Sequence, residues 1–577
     1  MGGACSRKKD LDDESDTRRT SGRCSKSGSS KWLLFTLPHC SIDARRRGEG
    51  KCPSLLELCI AKSCEDIDKY GSFSMLPRDI SQQILDELVE SHCLTDVSLE
   101  AFRDCALQDI HLEEYSGVKD SWMDVISSQG QSLLSLDISC SDVTDSGLVL
   151  IKNCSNVQDL TLNYCDNISD HGLEHLSGLS NLTSVSFKKS NAITAEGMRA
   201  FSSLVNLVNL DLERCLKIHG GLINLKGLTK LESLNIRYCN CITDADMKPL
   251  SGLVNLKDLQ MSCCRVTDAG IAYLKGSSKL SHLNLEGCLV TAACFEIISG
   301  FISLMILNLS RCGLSDDGCE KLAGLLKLKV LNLGFNNITD ACLVHIKDLI
   351  NLESLNLDSC KISDEGLLNL KGLLQLKSLE LSDTEVGSNG LHHLSGLYKL
   401  ESINLSFTLV TDSSLRKLSG LVSLKSLNLD VRQITDAGIS ALTSLTGLTH
   451  LDLFGARITD FGTNCFRYFK CLQSLELCGG LITDAGVKNI KDLTSLTLLN
   501  LSQNCNLTDG TLELISGLTA LVSLNVSNSR ITNAGLQHLK PLKNLRSLSL
   551  ESCKVTATEM KKLQLVALPN LITVRPE

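Results

Sequence analysis

The chain has 577 residues, 43% hydrophobic and only 4% aromatic, with a formal net charge of −9. Residues 1–51 hold 12 Lys and Arg against 7 Asp and Glu, a balance of +5, which leaves 45 basic and 59 acidic residues, or −14, on the remainder. An acidic body excludes a phosphate-tracking nucleic-acid groove. No apolar run approaches a membrane span, and the 27 cysteines contain no C-x-x-C pair or zinc-finger spacing.

The chain opens Met1-Gly2-Gly3-Ala4-Cys5-Ser6-Arg7-Lys8-Lys9. Gly2 with Ser6 fits the N-myristoylation pattern, and Cys5 is placed for S-palmitoylation. One acyl chain holds a membrane marginally, whereas a second chain or a basic patch makes attachment stable. The expectation is lipidation at Gly2 and Cys5 and residence at the cytoplasmic face of the plasma membrane, with the cytosol as the alternative. The polar start offers no secretory signal, so the thiols are expected to be reduced. Residues 10–51, rich in Ser, Arg and Asp, read as a flexible tether.

Residues 52–106 are not repetitive. Leu76-Pro77-Arg78-Asp79-Ile80 predicts a helix start, with Pro at the first helical position and Asp in the first turn. Ile80, Ile84, Leu85 and Leu88 give that helix an apolar face. The stretch resembles the start of an F-box, in which such a helix docks on a Skp1-type adaptor. The F-box stretch Val-Cys-Arg-x-Trp is replaced here by Leu99-Glu100-Ala101-Phe102-Arg103-Asp104-Cys105. Ser54-Leu55-x-x-x-Cys59 is also similar to an Elongin-C-binding box, and Leu76-Pro77-x-x-Ile80-x-x-x-Ile84 to a cullin box. Ser63 stands where that motif has a hydrophobic residue. Both resemblances imply a cullin-ligase substrate receptor whose adaptor contacts are Leu76, Pro77, Ile80 and Ile84. The alternative is a helical cap over the first repeat, which every solenoid needs.

Residues 107–132 read as an irregular first repeat, with Leu107, Ile110 and Leu112 on its strand and Trp122 to Ile126 on its outer segment. From Leu133 the pattern L-x-x-L-x-L followed by Cys or Asn returns 18 times to residue 570, in steps of 24 or 25 residues. Leu352-Glu353-Ser354-Leu355-Asn356-Leu357-Asp358-Ser359-Cys360 is the best-kept unit. Leu352, Leu355 and Leu357 are predicted to point inward from a short strand, with Ser354, Asn356 and Asp358 outward. Ser363-Asp364 is predicted to start a short helical segment carrying Leu367 and Leu370. One such unit cannot bury its own Leu face, so neighbours must stack and their strands align in parallel. Residues 571–577 close the array with one more strand.

The pattern resembles the cysteine-containing leucine-rich repeats of F-box/leucine-rich-repeat proteins, especially intracellular plant members. The resemblance implies an α/β leucine-rich-repeat solenoid. Such a fold has a curved parallel sheet on the concave face, short helices on the convex face and a small N-terminal helical cap.

Cys at the ninth repeat position (Cys165, Cys215, Cys239, Cys264, Cys288, Cys312, Cys360, Cys553) alternates with Asn336 and Asn504. It reads as a small buried hydrophobe with a weak donor. His171 and His175 flank Glu174 without the H-E-x-x-H order. No P-loop or G-x-S-x-G occurs, and no nucleophile meets a base, so neither enzyme activity, a metal nor a cofactor is expected.

The outward ladder is small and polar, with Asn at the fifth position of nine repeats. Two groups at positions seven and eight break it. One holds Tyr164, Lys188, Lys189, Arg214, Arg237 and Tyr238. The other holds Phe335, Phe407 and Phe454 among Asp358, Asp383 and Asp430. Aromatic and Arg side chains are the usual interface anchors, so these residues are the expected contacts for a protein partner. The function expected is a protein–protein interaction module acting as a substrate receptor of a cullin-type ubiquitin ligase. The alternative is a membrane-tethered scaffold or signalling adaptor.

Overall fold

The computed structural model describes residues 54–575 apart from 114 and 116. Contacts divide the chain into two units, Met1–Gly50 and Lys51–Glu577, and all described residues belong to the second. The lipidation motif at Gly2 and Cys5 and the tether lie outside the described residues.

The array is one parallel sheet of 20 three-residue strands, β1 (Asp109–His111) to β20 (Thr573–Arg575). Each strand pairs with the next in sequence at constant register, as in Ser354↔Ser378 and Leu355↔Leu379. The strand period of two puts Leu355 inside and leaves Ser354 and Asn356 half-buried. Leu352, Leu355 and Leu357 are each fully buried, and the same slots repeat this through the core.

Behind each strand lies a short α or 3₁₀ turn, such as Gly366–Leu370, which buries Leu367 and Leu370. The turns are tied together by a second ladder. In most repeats the Thr or Ser opening a turn donates its N–H and its hydroxyl to the Asp that begins the previous turn. Thr435 does so to Asp412 at 2.8 and 2.5 Å, and Thr483 to Asp460 at 2.8 and 2.7 Å. Gly438 and Gly486 lie where any Cβ would run into those carboxylates, which explains the recurring Thr-Asp-x-Gly signature.

The ninth-position cysteines form a third ladder. Cys215, Cys239 and Cys360 donate to the carbonyls of Phe187, Leu212 and Leu333 in the preceding repeats at 3.1, 3.1 and 3.2 Å. Asn504 makes the same reach to Leu477 O at 2.8 Å. A buried carbonyl needs a donor, and either side chain supplies one.

The N-terminal end is capped. Three helices precede the sheet: α1 (Leu55–Glu65), α2 (Arg78–Glu90) and α3 (Asp96–Glu100). Ser54 caps α1 in a reciprocal capping box with Glu57. Gln82 of α2 accepts from Gln108 N and donates to Asp109 O, which ties the helix to β1. The first repeat places α4 (Asp120–Ser128) behind β1, with Trp122 buried. At the far end β20 pairs with β19 (Ser547–Ser549).

Candidate binding face on the sheet

Position eight adopts a left-handed backbone at Tyr164 (φ 58°), Lys189 (53°), Arg214 (60°), Tyr238 (59°), Phe335 (59°) and Phe407 (55°). The repeat requires it. The N–H at this position donates to the position-seven carbonyl of the next repeat, as Tyr164 N does to Lys188 O at 2.8 Å. The side chains there are left in solvent: Tyr164 is 46% exposed, Phe335 40% and Phe407 50%. Phe454, at position seven, is 36% exposed.

In the first group, cations and rings interleave. Lys189 Nζ lies 5.6 Å from the Tyr164 ring centroid. The guanidinium carbons of Arg214 and Arg237 both lie over Tyr238, at 5.0 and 5.5 Å. Arg237 Nε also donates to Ser262 Oγ at 3.0 Å. Lys188 is engaged differently, 3.3 Å from Asp211 and 4.0 Å from Glu213. Glu213 follows Lys188 rather than its sequence neighbour Arg214. Lys189, Arg214 and Arg237 therefore make no ion pair among the described residues.

The second group is acidic. Burial, with Asp452 as second cause, raises the Asp430 carboxyl to about 6. Glu476 is raised well above the usual carboxylate range by burial and then by Asp452. Burial also raises Glu380 and Asp358. The face thus runs from cations on rings to half-buried or buried carboxylates, raised by burial, around Phe407 and Phe454. Between them Arg311 stacks on Phe335, 3.7 Å from the ring centroid, with Glu286 at 4.0 Å.

Sequence reasoning had missed Arg311, Glu380, Asp452 and Glu476. The last three sit at position five, where the ladder is otherwise mostly Asn, so the same register contained the signal.

Leu76 and Pro77 are exposed and Ile80 is half-buried, but Ile84 is only 1% exposed, packed with Leu85 and Leu88 in the core. Pro77 sits at the N-cap, one residue before the predicted helical position.

One cluster among the described residues has metal-ligand proximity: Asp316, Cys319 and Cys342. Asp316 already accepts from Thr339 N at 2.8 Å and Thr339 Oγ1 at 2.5 Å as a rung of the Asp ladder. The Cys342 thiol is pushed strongly up by the Cys319 thiol and by burial, which disfavours its thiolate. His171 is 85% exposed, with Glu174 at 3.8 Å.

Leucine-rich-repeat family models match residues 470–531 and six further segments: 131–152, 227–251, 253–275, 302–323, 325–343 and 349–371. The fold is a leucine-rich-repeat solenoid. Solved structures with similarity include an internalin from Listeria monocytogenes (22% identity over 71% of this chain and 90% of that one, TM-score 0.38). A plant peptide hormone receptor in complex with its peptide is also similar (17%, 85% and 88%, TM-score 0.42). So is the mouse RP105/MD-1 complex (18%, 83% and 87%, TM-score 0.47). No curated protein matches the sequence. The leucine-rich-repeat solenoid is typically a binding scaffold, and this chain has the architecture of a protein–protein interaction module.

Proposed function

We propose that this solenoid captures a protein partner on its sheet face and holds it at the cytoplasmic face of the plasma membrane. The anchors are the acylated Gly2 and Cys5, and the contacts are Tyr164, Lys189, Arg214, Arg237 and Tyr238. The observation that carries the reading is the pair of guanidinium groups over Tyr238. Two like charges held on one ring without a carboxylate form a site for an anionic side chain, and a phosphorylated or acidic segment supplies one that Arg binds bidentately.

In the same reading, the helices of residues 52–106 present the partner to a Skp1-type or Elongin-C-type adaptor of a cullin ligase. The exposed Leu76 and Pro77 support that contact. A passive scaffold is favoured instead by the burial of Ile84, Leu85 and Leu88, which takes most of the apolar face of α2 into the core. Affinity purification of the full chain, a Leu76→Asp variant and an Arg214→Glu/Arg237→Glu variant separates the two. The ligase reading requires adaptor recovery that Leu76→Asp removes and the Arg variant leaves intact. Absence of any cullin adaptor leaves the scaffold.

A further inference from the structure

Away from the sheet face, the turns that lead into the strands carry a feature that partner capture does not use. Ile302, Leu326, Ile350, Leu374, Tyr398 and Val422 occupy one slot in six consecutive repeats. They are 66%, 58%, 61%, 55%, 65% and 65% exposed. From Leu326 to Val422 the slot closes a tight turn, its N–H donating to the carbonyl two residues back, as Leu374 N does to Gly372 O and Tyr398 N to Gly396 O. The side chain is held out by the turn and has no core to fill. After Val422 the slot changes to Thr446, Lys470 and Thr494, so the apolar run is bounded.

Charge singles out the same edge. The six turns 298–305, 322–329, 346–353, 370–377, 394–401 and 418–425 carry seven lysines and three carboxylates, in a body whose balance is strongly acidic. Glu353 sits between Lys329 and Lys377, at 3.2 and 2.6 Å, and Glu401 takes Lys425 at 2.7 Å. Those contacts show that neighbouring turns are within side-chain reach. Lys327, Lys347 and Lys371 are exposed and form no ion pair among the described residues.

A single file of exposed apolar side chains, on the order of 24 Å long at the strand spacing and flanked by lysines, has the composition of an interfacial surface. Such surfaces dip apolar side chains among acyl chains and hold lysines at anionic headgroups. No helix among the described residues is long and apolar enough to cross a membrane. We propose that this edge, from Ile302 to Val422, is a membrane-contacting edge that lies on an anionic bilayer surface.

The test uses the full chain as Gly2→Ala, so that no myristoyl chain contributes and failure of the N-terminal anchor is a separate matter. Co-sedimentation is measured with vesicles of phosphatidylcholine alone and of phosphatidylcholine with phosphatidylserine. Binding to the phosphatidylserine vesicles, weakened by salt, is expected. Leu326→Glu/Leu374→Glu should reduce it about tenfold or more, and Lys347→Glu/Lys371→Glu by a similar factor. Lys488→Glu/Lys561→Glu, exposed and outside these six turns, should leave it unchanged. All substituted edge residues are exposed, and circular dichroism checks that the fold persists. No binding to phosphatidylserine vesicles, or binding that neither edge variant reduces, overturns the proposal. So does concentration-dependent self-association in sedimentation velocity that Leu326→Glu/Leu374→Glu abolishes, because the edge would then be a contact between copies.

Discussion

The carboxylate of Asp170 holds Thr194 of the following repeat twice, accepting from its N–H at 2.7 Å and from its hydroxyl at 2.6 Å. Gly197, three residues past Thr194, packs so closely on that carboxylate that a Cβ would overlap it. Gly197→Ala should therefore cost about 1–3 kcal/mol by forced displacement. Asp170→Ala should cost about 1–3 kcal/mol by leaving the Thr194 donors unpaired. The two effects share one cause, so the double variant should cost clearly less than their sum. Urea melts that show simple additivity would sever the glycine from the carboxylate.

Much of this was readable beforehand, for a physical reason. The inward places of Leu352, Leu355 and Leu357 follow from the strand period alone, which needs no knowledge of neighbours. Ser363-Asp364 also read correctly as the start of a turn. What the Asp does was hidden, because Asp364 reaches Gly387 N of the next repeat, at 2.6 Å, rather than anything in its own. The same limit applied on the binding face. Sequence order puts Glu213 beside Arg214, but which cation Glu213 prefers depends on side-chain reach across strands, and it lies nearer Lys188. Ile84 was misjudged as a contact because an apolar helix face looks alike whether it covers a repeat or receives an adaptor.

Register itself is open to test. Leu355 is completely buried between repeats, whereas its neighbour Asn356 is half-buried on the opposite side of the sheet. Leu355→Ala should lower stability by about 2–5 kcal/mol, and Asn356→Ala by far less. Similar shifts of the urea midpoint for both would place the strand one residue out of phase.

The ninth-position thiols should be chemically silent. Burial pushes Cys215 and Cys288 up to about 12 and Cys360 up to about 11. The thiolate is the nucleophile, and these groups have neither the charge nor the access. Alkylation at pH 8 followed by peptide mapping should label the exposed Cys59, Cys471 and Cys505 first. Cys215, Cys288 and Cys360 should react only after denaturation. Early labelling of Cys360 in the folded chain would argue for a looser ladder than its bond to Leu333 O implies.

The acidic half of the sheet face should make stability depend on pH in an unusual direction. Most carboxylates in folded proteins titrate low and lend stability at neutral pH, whereas Asp430 titrates at about 6, raised by burial and by Asp452. Its unfolded value is about 3.9, so between those two values the folded chain binds the extra proton. The stabilisation is complete below about pH 4 and is lost as pH rises through 6. Glu476, raised by burial and by the same Asp452, acts in the same sense at higher pH. Asp430→Asn keeps the size of the side chain and removes the charge. It should be more stable than the parent at pH 7.5, with the difference shrinking to nothing by about pH 4. Thermal melts of the two proteins across that range measure it directly. A variant that matches the parent at pH 7.5, or falls below it, would mean that Asp430 carries its charge without penalty, and that the carboxylates of this face do not oppose one another.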